Sequence, residues 1–241
     1  FNNQTTLGQG TVTYDWSFGD GTTSTNANPS RSYSSAGTYD VKVVAESDSG
    51  CLDSTIRSVT VHPEPTAGYT VNQANQCSVN NSFAFTDQSS ISSGSISRTW
   101  DFGDGSNSTN KSPSNTYTYT GSGKGKITNQ IKLVTTNNSG CQDSITKSLN
   151  VSSNPTAGFN YASDTVCSGA VQSFTNTSNG VSLSYSYAFG DGSSSSGSRP
   201  THIYNYTGSG YKSVTTTLTV INSSGCQNST SKTFSVGRKP D

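Results

Sequence analysis

Five cysteines and three aspartates are the residues of this chain whose types and spacing could do chemistry. Cys51, Cys141 and Cys226 each end a Ser-Gly-Cys tripeptide, while Cys77 and Cys167 stand apart from that pattern. In an oxidising compartment such thiols pair as disulfides. Asp20, Asp104 and Asp191 each sit between two glycines. A carboxylate there can accept hydrogen bonds from backbone N–H groups and close a turn, or it can contribute to a calcium site. Calcium takes six to eight oxygens from several groups, and the residues after each Gly-Asp-Gly are only Thr, Ser and Asn. Asp101 lies near Asp104, but Ser17 and Ala188 hold the matching places. The turn is the favoured reading, calcium is the alternative set aside, and no cofactor is expected.

The groups needed for catalysis do not assemble in the sequence. There are two histidines, His62 and His202, without counterparts at matching places of the pattern described below. A serine nucleophile needs a base and an orienting acid within hydrogen-bond reach, and no Gly-x-Ser-x-Gly elbow occurs. Residues 121–126 are Gly-rich and end in lysine. They lack the spacing of a phosphate loop, the Ser/Thr after its lysine and a following helix. They read as a hairpin tip, and an enzyme is not expected.

The aspartates belong to a longer pattern that the chain writes three times. Asp15-Trp16-Ser17-Phe18-Gly19-Asp20-Gly21 returns around Trp100, Phe102 and Asp104, and again around Tyr187, Phe189 and Asp191. An aromatic two residues before each Phe points to the same face of a strand, and the glycines that follow accept positive φ and stop it. A proline lies eleven residues after each Phe (Pro29, Pro113, Pro200) and a tyrosine four further on (Tyr33, Tyr117, Tyr204). Ser-Gly-Cys completes each copy. Five landmarks in step across three copies make this a repeat protein.

At these residues the chain resembles the PKD domain family: Trp-x-Phe-Gly-Asp-Gly, then Pro-x3-Tyr, then a strand such as Gly37-Thr38-Tyr39-Asp40-Val41-Lys42-Val43. The resemblance implies an all-β fold, a tandem array of immunoglobulin-like antiparallel β-sandwiches, and an extracellular setting. The expected modules are 1–64, 65–154 and 155–241. Phe1 lies fifteen residues before Trp16, as Phe85 does before Trp100, so the first module is read as lacking its first strand and its early cysteine. The third is read as running into the start of a further repeat, because Val236 precedes Pro240 as Val151 precedes Pro155. Pro63 and Pro65 make a short, stiff first junction.

Composition agrees with folded sandwiches that have polar outer faces. Apolar residues are 28% of the 241, against roughly 45–50% in an average globular chain. Disorder at such values usually goes with high net charge, yet Lys+Arg and Asp+Glu are both 14. That balance also removes the electrostatic footprint of a nucleic-acid or anionic-membrane binder. No apolar run approaches the ~20 residues of a transmembrane helix. With no Met anywhere, the chain reads as a mature piece of something longer.

The many tyrosines raise the question of a sugar platform. Trp16, Trp100 and Tyr187 share a face with the motif phenylalanines, and Tyr119 and Tyr206 share parity with Tyr117 and Tyr204, so core is the favoured reading. Sequons at Asn107, Asn110 and Asn205, and Asp-Ser/Thr sequences at Asp53, Asp143 and Asp164, are weak signals of glycosylation.

The cysteines have an early place (Cys77, Cys167) and a late place (Cys51, Cys141, Cys226). The repeat register pairs them within a copy as Cys77–Cys141 and Cys167–Cys226, with Cys51 unpaired. The expected function is that of a non-catalytic structural spacer and adhesive repeat region in a large secreted or cell-surface bacterial protein. The resemblance extends to PKD arrays in type IX-exported adhesins of gliding bacteria. The alternative is an accessory module of a secreted polysaccharide- or protein-degrading enzyme. Expected partners are neighbouring PKD-like repeats, with self-assembly through the open first module and a surface glycan or extracellular protein ligand as further readings.

Overall fold

The computed structural model describes residues 1–120 and 125–238. Residues 121–124 of the Gly-rich hairpin, and Pro240 with the start of a further repeat, lie outside the described residues. Everything described is strand, turn or irregular. Module one contributes β1 (Val12–Ser17), β2 (Thr23–Ser24), β3 (Gly37–Ser47) and β4 (Leu52–Val61). Module two contributes β5 (Tyr69–Val71), β6 (Asn75–Cys77), β7 (Phe83–Asp87), β8 (Ile96–Asp101), β9 (Asn107–Ser108), β10 (Ser114–Asn115), β11 (Lys126–Asn137) and β12 (Gln142–Ser152). Module three repeats that set with β13 (Phe159–Tyr161), β14 (Thr165–Cys167), β15 (Val171–Asn176), β16 (Ser184–Ala188), β17 (Ser194–Ser195), β18 (Thr201–Ile203), β19 (Tyr211–Ile221) and β20 (Gln227–Gly237).

Modules two and three each hold a three-stranded and a five-stranded sheet, in the orders β10-β7-β5 with β6-β12-β11-β8-β9, and β13-β15-β18 with β14-β20-β19-β16-β17. β6 runs parallel to β12 and β14 parallel to β20, while β1 to β4 of module one pair antiparallel, as do β16 with β17 and β19, and β19 with β20, in module three. In module one the described residues form a single sheet, β2-β1-β3-β4, with β4 at its edge. The chain divides into two compact units. One is Phe1–Gly68 with Gln88–Thr99 and Leu133–Ile145, and the other holds the remaining described residues.

Alternation explains why so polar a chain still has cores. Along β7, Phe83, Phe85 and Asp87 turn inward while Ala84 and Thr86 face water. Along β8 only Trp100 is fully buried. Each motif aromatic lies nearly parallel to its Phe, with planes 11° apart for Trp16–Phe18 and Trp100–Phe102 and 19° for Tyr187–Phe189. A second Phe packs on each pair, at 5.6 Å (Phe1–Phe18), 5.3 Å (Phe85–Phe102) and 5.4 Å (Phe174–Phe189). In modules two and three a further aromatic from the leading strand meets the stack edge-on, Tyr69 on Trp100 at 5.0 Å and Phe159 on Tyr187 at 5.7 Å. Tyr117 and Tyr204 are buried, and Tyr206 packs half-buried against the module-three core.

The Trp100 indole is fully buried and donates to Asn110 O at 2.9 Å. The Tyr187 hydroxyl occupies the same place in module three without a hydrogen-bond partner in the protein. Removing a large ring leaves a cavity, so Trp100→Ala is expected to cost about 3–5 kcal/mol. Removing an unpartnered buried hydroxyl carries no such penalty, so Tyr187→Phe should be neutral or stabilise by about 1 kcal/mol. Denaturant titration of the two variants checks both signs.

Candidate functional site: the aspartate turns and the module junction

Each Gly-Asp-Gly turn is closed by the same bonds. The Phe N–H donates to the carbonyl four residues on, Phe18 to Thr22 at 3.1 Å, Phe102 to Ser106 at 3.2 Å and Phe189 to Ser193 at 3.0 Å. One aspartate oxygen accepts from the N–H of the residue two ahead: Thr22 at 3.0 Å, Ser106 at 2.9 Å and Ser193 at 3.0 Å. It also accepts the hydroxyl of that residue. The second oxygen is taken eleven residues on by a donor of changing type. Arg31 Nε lies 2.7 Å from Asp20, Asn115 Nδ2 2.8 Å from Asp104 and His202 Nε2 2.7 Å from Asp191. Both oxygens of every turn aspartate therefore accept from the chain itself, an arrangement suited to closing a turn. Among the described residues no cluster of three His, Cys, Asp or Glu side chains has the makings of a metal site.

The first glycine of each turn is required by proximity. Gly103 has φ of 74°, and a Cβ there would come within 2.6 Å of Gln130 O on β11. At Gly190 the clash would be with Thr215 O at 2.4 Å. The motif tyrosine then locks the other side of the Phe peptide. Its hydroxyl donates to the Phe carbonyl, Tyr33 to Phe18 and Tyr117 to Phe102 at 2.9 Å and Tyr204 to Phe189 at 3.2 Å. Burial pushes the Tyr117 phenol up to about 12 and raises that of Tyr204.

Asp20, Asp104 and Asp191 all titrate low. For Asp20 the Thr22 hydroxyl is the largest cause, with partial burial opposing it and the Thr22 N–H and Arg31 adding to it, and the carboxyl falls to about 2. For Asp191 burial pushes upward, but Ser193 and His202 outweigh it and bring the group to about 2. Asp104 is lowered in the same way by Ser106 and Asn115 against the opposing effect of burial.

The cysteines depart from the expected pairing. The bond is Cys77–Cys226, with the two Cα atoms 5.5 Å apart, and it joins module two to module three. Cys141 and Cys167 are free thiols, as is Cys51. Strand direction is the physical reason. Cys167 lies on β14 beside Gly237, the last residue of β20, whereas Cys226 precedes the first residue of that strand. Ten residues of strand separate the two positions, about 33 Å, far beyond the ~7 Å limit for a disulfide. Cys77 likewise pairs beside Ser152, the last residue of β12, and Cys141 precedes its first. Cys77 therefore stands at the end of module two that meets module three, beside the late cysteine of module three. By the chain-entropy estimate, closing a loop with a sequence separation of 149 residues is worth about 5 kcal/mol.

An asparagine fixes each junction next to the late cysteine. Asn222 Oδ1 accepts from Cys226 N at 3.0 Å, and its Nδ2 donates to Ser153 O at 2.8 Å. Asn137 does the same one module earlier, accepting from Cys141 N at 2.9 Å and donating to Pro63 O at 2.7 Å.

Comparison with known proteins gives the family. The family model of the PKD domain matches residues 1–62, 60–153 and 152–236. The chain belongs to the PKD domain family. Its PKD modules are non-catalytic in kind. Over 54 residues, 22% of its length, the chain is 43% identical to collagenase ColA of Bacillus cereus, and that stretch spans 6% of the collagenase. Among solved structures it is similar to the PKD1 domain of Vibrio anguillarum Epp, with 22% identity, a TM-score of 0.31, and 39% of this chain and 99% of that one covered. The PKD1 domain of the Vibrio cholerae metalloprotease PrtV gives 26% identity, a TM-score of 0.30, and 38% and 99% coverage.

The PKD motif residues named from sequence all take part in one assembly, since ring pair, aspartate turn and tyrosine meet at each motif Phe. His202 had no visible role in the sequence because Arg31 and Asn115 fill its position in the other modules. The constant spacing of eleven residues from the aspartate was the available signal.

The low carboxyl values set an acid limit. A carboxyl held below its ordinary 3.8 stabilises the fold fully above that pH, and the contribution is lost as pH falls through about 2. Carbon-detected NMR titration should place the Asp20 and Asp191 midpoints near 2. Asp191→Asn should remove this acid-dependent component from module three and leave that of module one in place.

Proposed function

We propose that these PKD modules form a non-catalytic spacer and adhesive stretch of a large secreted or cell-surface bacterial protein. The observation that carries this reading is the Cys77–Cys226 bond, a covalent tie between consecutive modules. Such a bond endures in oxidising surroundings outside the cytoplasm, and it holds neighbouring modules together without serving any reaction. The exposed sheet faces suit the same role. On β19 and β20, Thr215–Thr233, Thr217–Ser231 and Thr219–Ser229 form a ladder of hydroxyl contacts at 2.8–2.9 Å, a neutral and well-hydrated surface. The partners of this stretch are further PKD repeats of the parent chain, with a surface glycan or extracellular protein at its business end. Export of the type IX kind fits the repeat pattern.

The likeness to part of a collagenase favours a second reading, an accessory module that helps a secreted polysaccharide- or protein-degrading enzyme engage its substrate. In-frame deletion of this region from the parent gene separates the two. The spacer reading expects antibody against the region to label intact cells, and expects the deletion to lower cell attachment while secreted degradative activity is unchanged. Unchanged attachment with reduced degradation of insoluble substrate would assign the accessory role. Label confined to the cell interior would overturn both.

A further inference from the structure

β1, β8 and β16 hold the same place in their modules, and each is covered on its outer edge for only two residues. β2 pairs with β1 at Trp16 and Ser17, β9 with β8 at Trp100 and Asp101, and β17 with β16 at Tyr187 and Ala188. In every module the chain then turns away, and a backbone N–H donates to the hydroxyl of the serine two residues before it. These bonds run from Asn26 to Ser24, Asn110 to Ser108 and Gly197 to Ser195, at 3.2–3.3 Å. The leading strands of modules two and three pair elsewhere, β5 with β7, β6 with β12, β13 with β15 and β14 with β20. The gap therefore belongs to the fold of the module. Strand register decides which groups it leaves bare. Asp48 N donates to Thr11 O, and in antiparallel pairing the residues that exchange bonds alternate. Thr11, Thr13, Asp15 and Ser17 turn their N–H and C=O groups to β3, while those of Val12 and Tyr14 point to the open side. In module two Arg98 stands in the place of Tyr14, and its guanidinium donates to Ile96 O, the carbonyl matching that of Val12, at 3.1 Å.

Along this edge of module one lies a groove of about 650 Å³, lined by the edge strand with Thr25, Ala27, Val44 and Glu46. Its volume is in the range of known ligand pockets. Asp15 and Glu46 are exposed beside it, and neither carboxylate has a hydrogen-bond or ion-pair partner among the described residues. The matching places hold Thr99 and Thr136 in module two, and Ser186 and Ile221 in module three. Charge is divided in the same way. Residues 1–64 hold seven acidic and three basic side chains, a net of −4, whereas 65–154 hold four and six and 155–241 hold three and five. The balance of the whole chain thus hides one acidic module. The geometry points to a docking site on module one for an extended, basic segment of another protein, added to the sheet in line with β2. The N–H and C=O groups of Val12 and Tyr14 hold its main chain, as in strand addition to a sheet edge. Its residues opposite Thr13 and Asp15 carry lysine or arginine on the outer face, against Asp15 and within reach of Glu46. The residue between them turns an apolar side chain inward beside Tyr14. The site is read from the geometry of module one and stands whether or not the chain is a spacer.

The test uses the full chain and a fluorescent peptide, Thr-Lys-Val-Lys-Val-Lys-Thr, with a control of the same composition whose lysines stand in one block. Fluorescence anisotropy reads affinity, and amide hydrogen exchange by NMR reads where the peptide lies. In the free chain the Val12 and Tyr14 amides should exchange fast and those of Thr13 and Asp15 slowly. Saturating alternating peptide should slow Val12 and Tyr14 by about tenfold or more. Asp15→Asn combined with Glu46→Gln should weaken binding about tenfold, the effect of losing two opposite-charge pairs across strands. Val12→Pro removes an outward N–H at the first residue of the strand and spares the bonds to β3. It should weaken binding while the exchange of β3 and β4 amides is unchanged, which reports an intact module. No binding, equal affinity for the block peptide, or binding that leaves Val12 and Tyr14 unprotected would overturn the proposal, the last two by leaving only a general attraction to an acidic module. Slow exchange of those two amides without peptide would also overturn it, by assigning the edge to a second copy of this chain.

Discussion

One phenylalanine peptide per module is held from both sides, and much else follows from it. The N–H of Phe18, Phe102 or Phe189 closes the aspartate turn, and its carbonyl accepts the tyrosine hydroxyl fifteen residues on. Its side chain meanwhile lies in the aromatic stack. Buried backbone groups must find partners, and here the partners are residues of the motif itself. With 28% apolar residues, modules of this size bury little hydrophobic surface, and a fixed turn that delivers two rings to one face makes good use of it. The conserved spacing of proline and tyrosine is set by the return path from turn to carbonyl. The proline carbonyl in turn accepts from the backbone nitrogen of Phe1, Phe85 or Phe174, placing the third ring on the stack.

Most of this was legible in the sequence because it repeats locally. Rings two residues apart share a face whatever the rest of the fold does, and glycines around an aspartate mark a turn wherever they occur. The cysteines were not legible in that way. Corresponding positions show which residues are equivalent, but they do not show at which end of a long strand each one stands. Once β14 lies parallel to β20, Cys167 and Cys226 stand at opposite ends of the sheet. Three-residue strands such as β6 and β14 have no period to read, so their direction was invisible. His202 stayed hidden for another reason, since its place asks only for a donor, and Arg, Asn and His all qualify.

The junctions show the same economy as the turns. Asn137 and Asn222 each organise a hairpin tip through Oδ1 and hold the preceding linker through Nδ2. Module one has Ser47 at that position, whose hydroxyl accepts from Cys51 N at 3.1 Å. A serine keeps the tip in shape, but its side chain is shorter than that of asparagine. Just inside the later modules, Ala67 N donates to Asp143 and Ala157 N to Asn228, at 2.8 and 3.2 Å. Asp143 thus has a structural task at the start of module two.

The cross-module bond also changes how tension would pass along the polypeptide. A pull applied at the two ends enters module two, reaches Cys77, crosses to Cys226 and leaves through β20. The intervening chain, a sequence separation of 149 residues, amounts to about 500 Å of extended polypeptide, and none of it lies on that path. Its hairpins, turns and aromatic stacks are relieved of the strain whether or not they would withstand it. Weakly packed, water-loving modules could then serve under traction, because the sulfur bridge takes the stretch in their place.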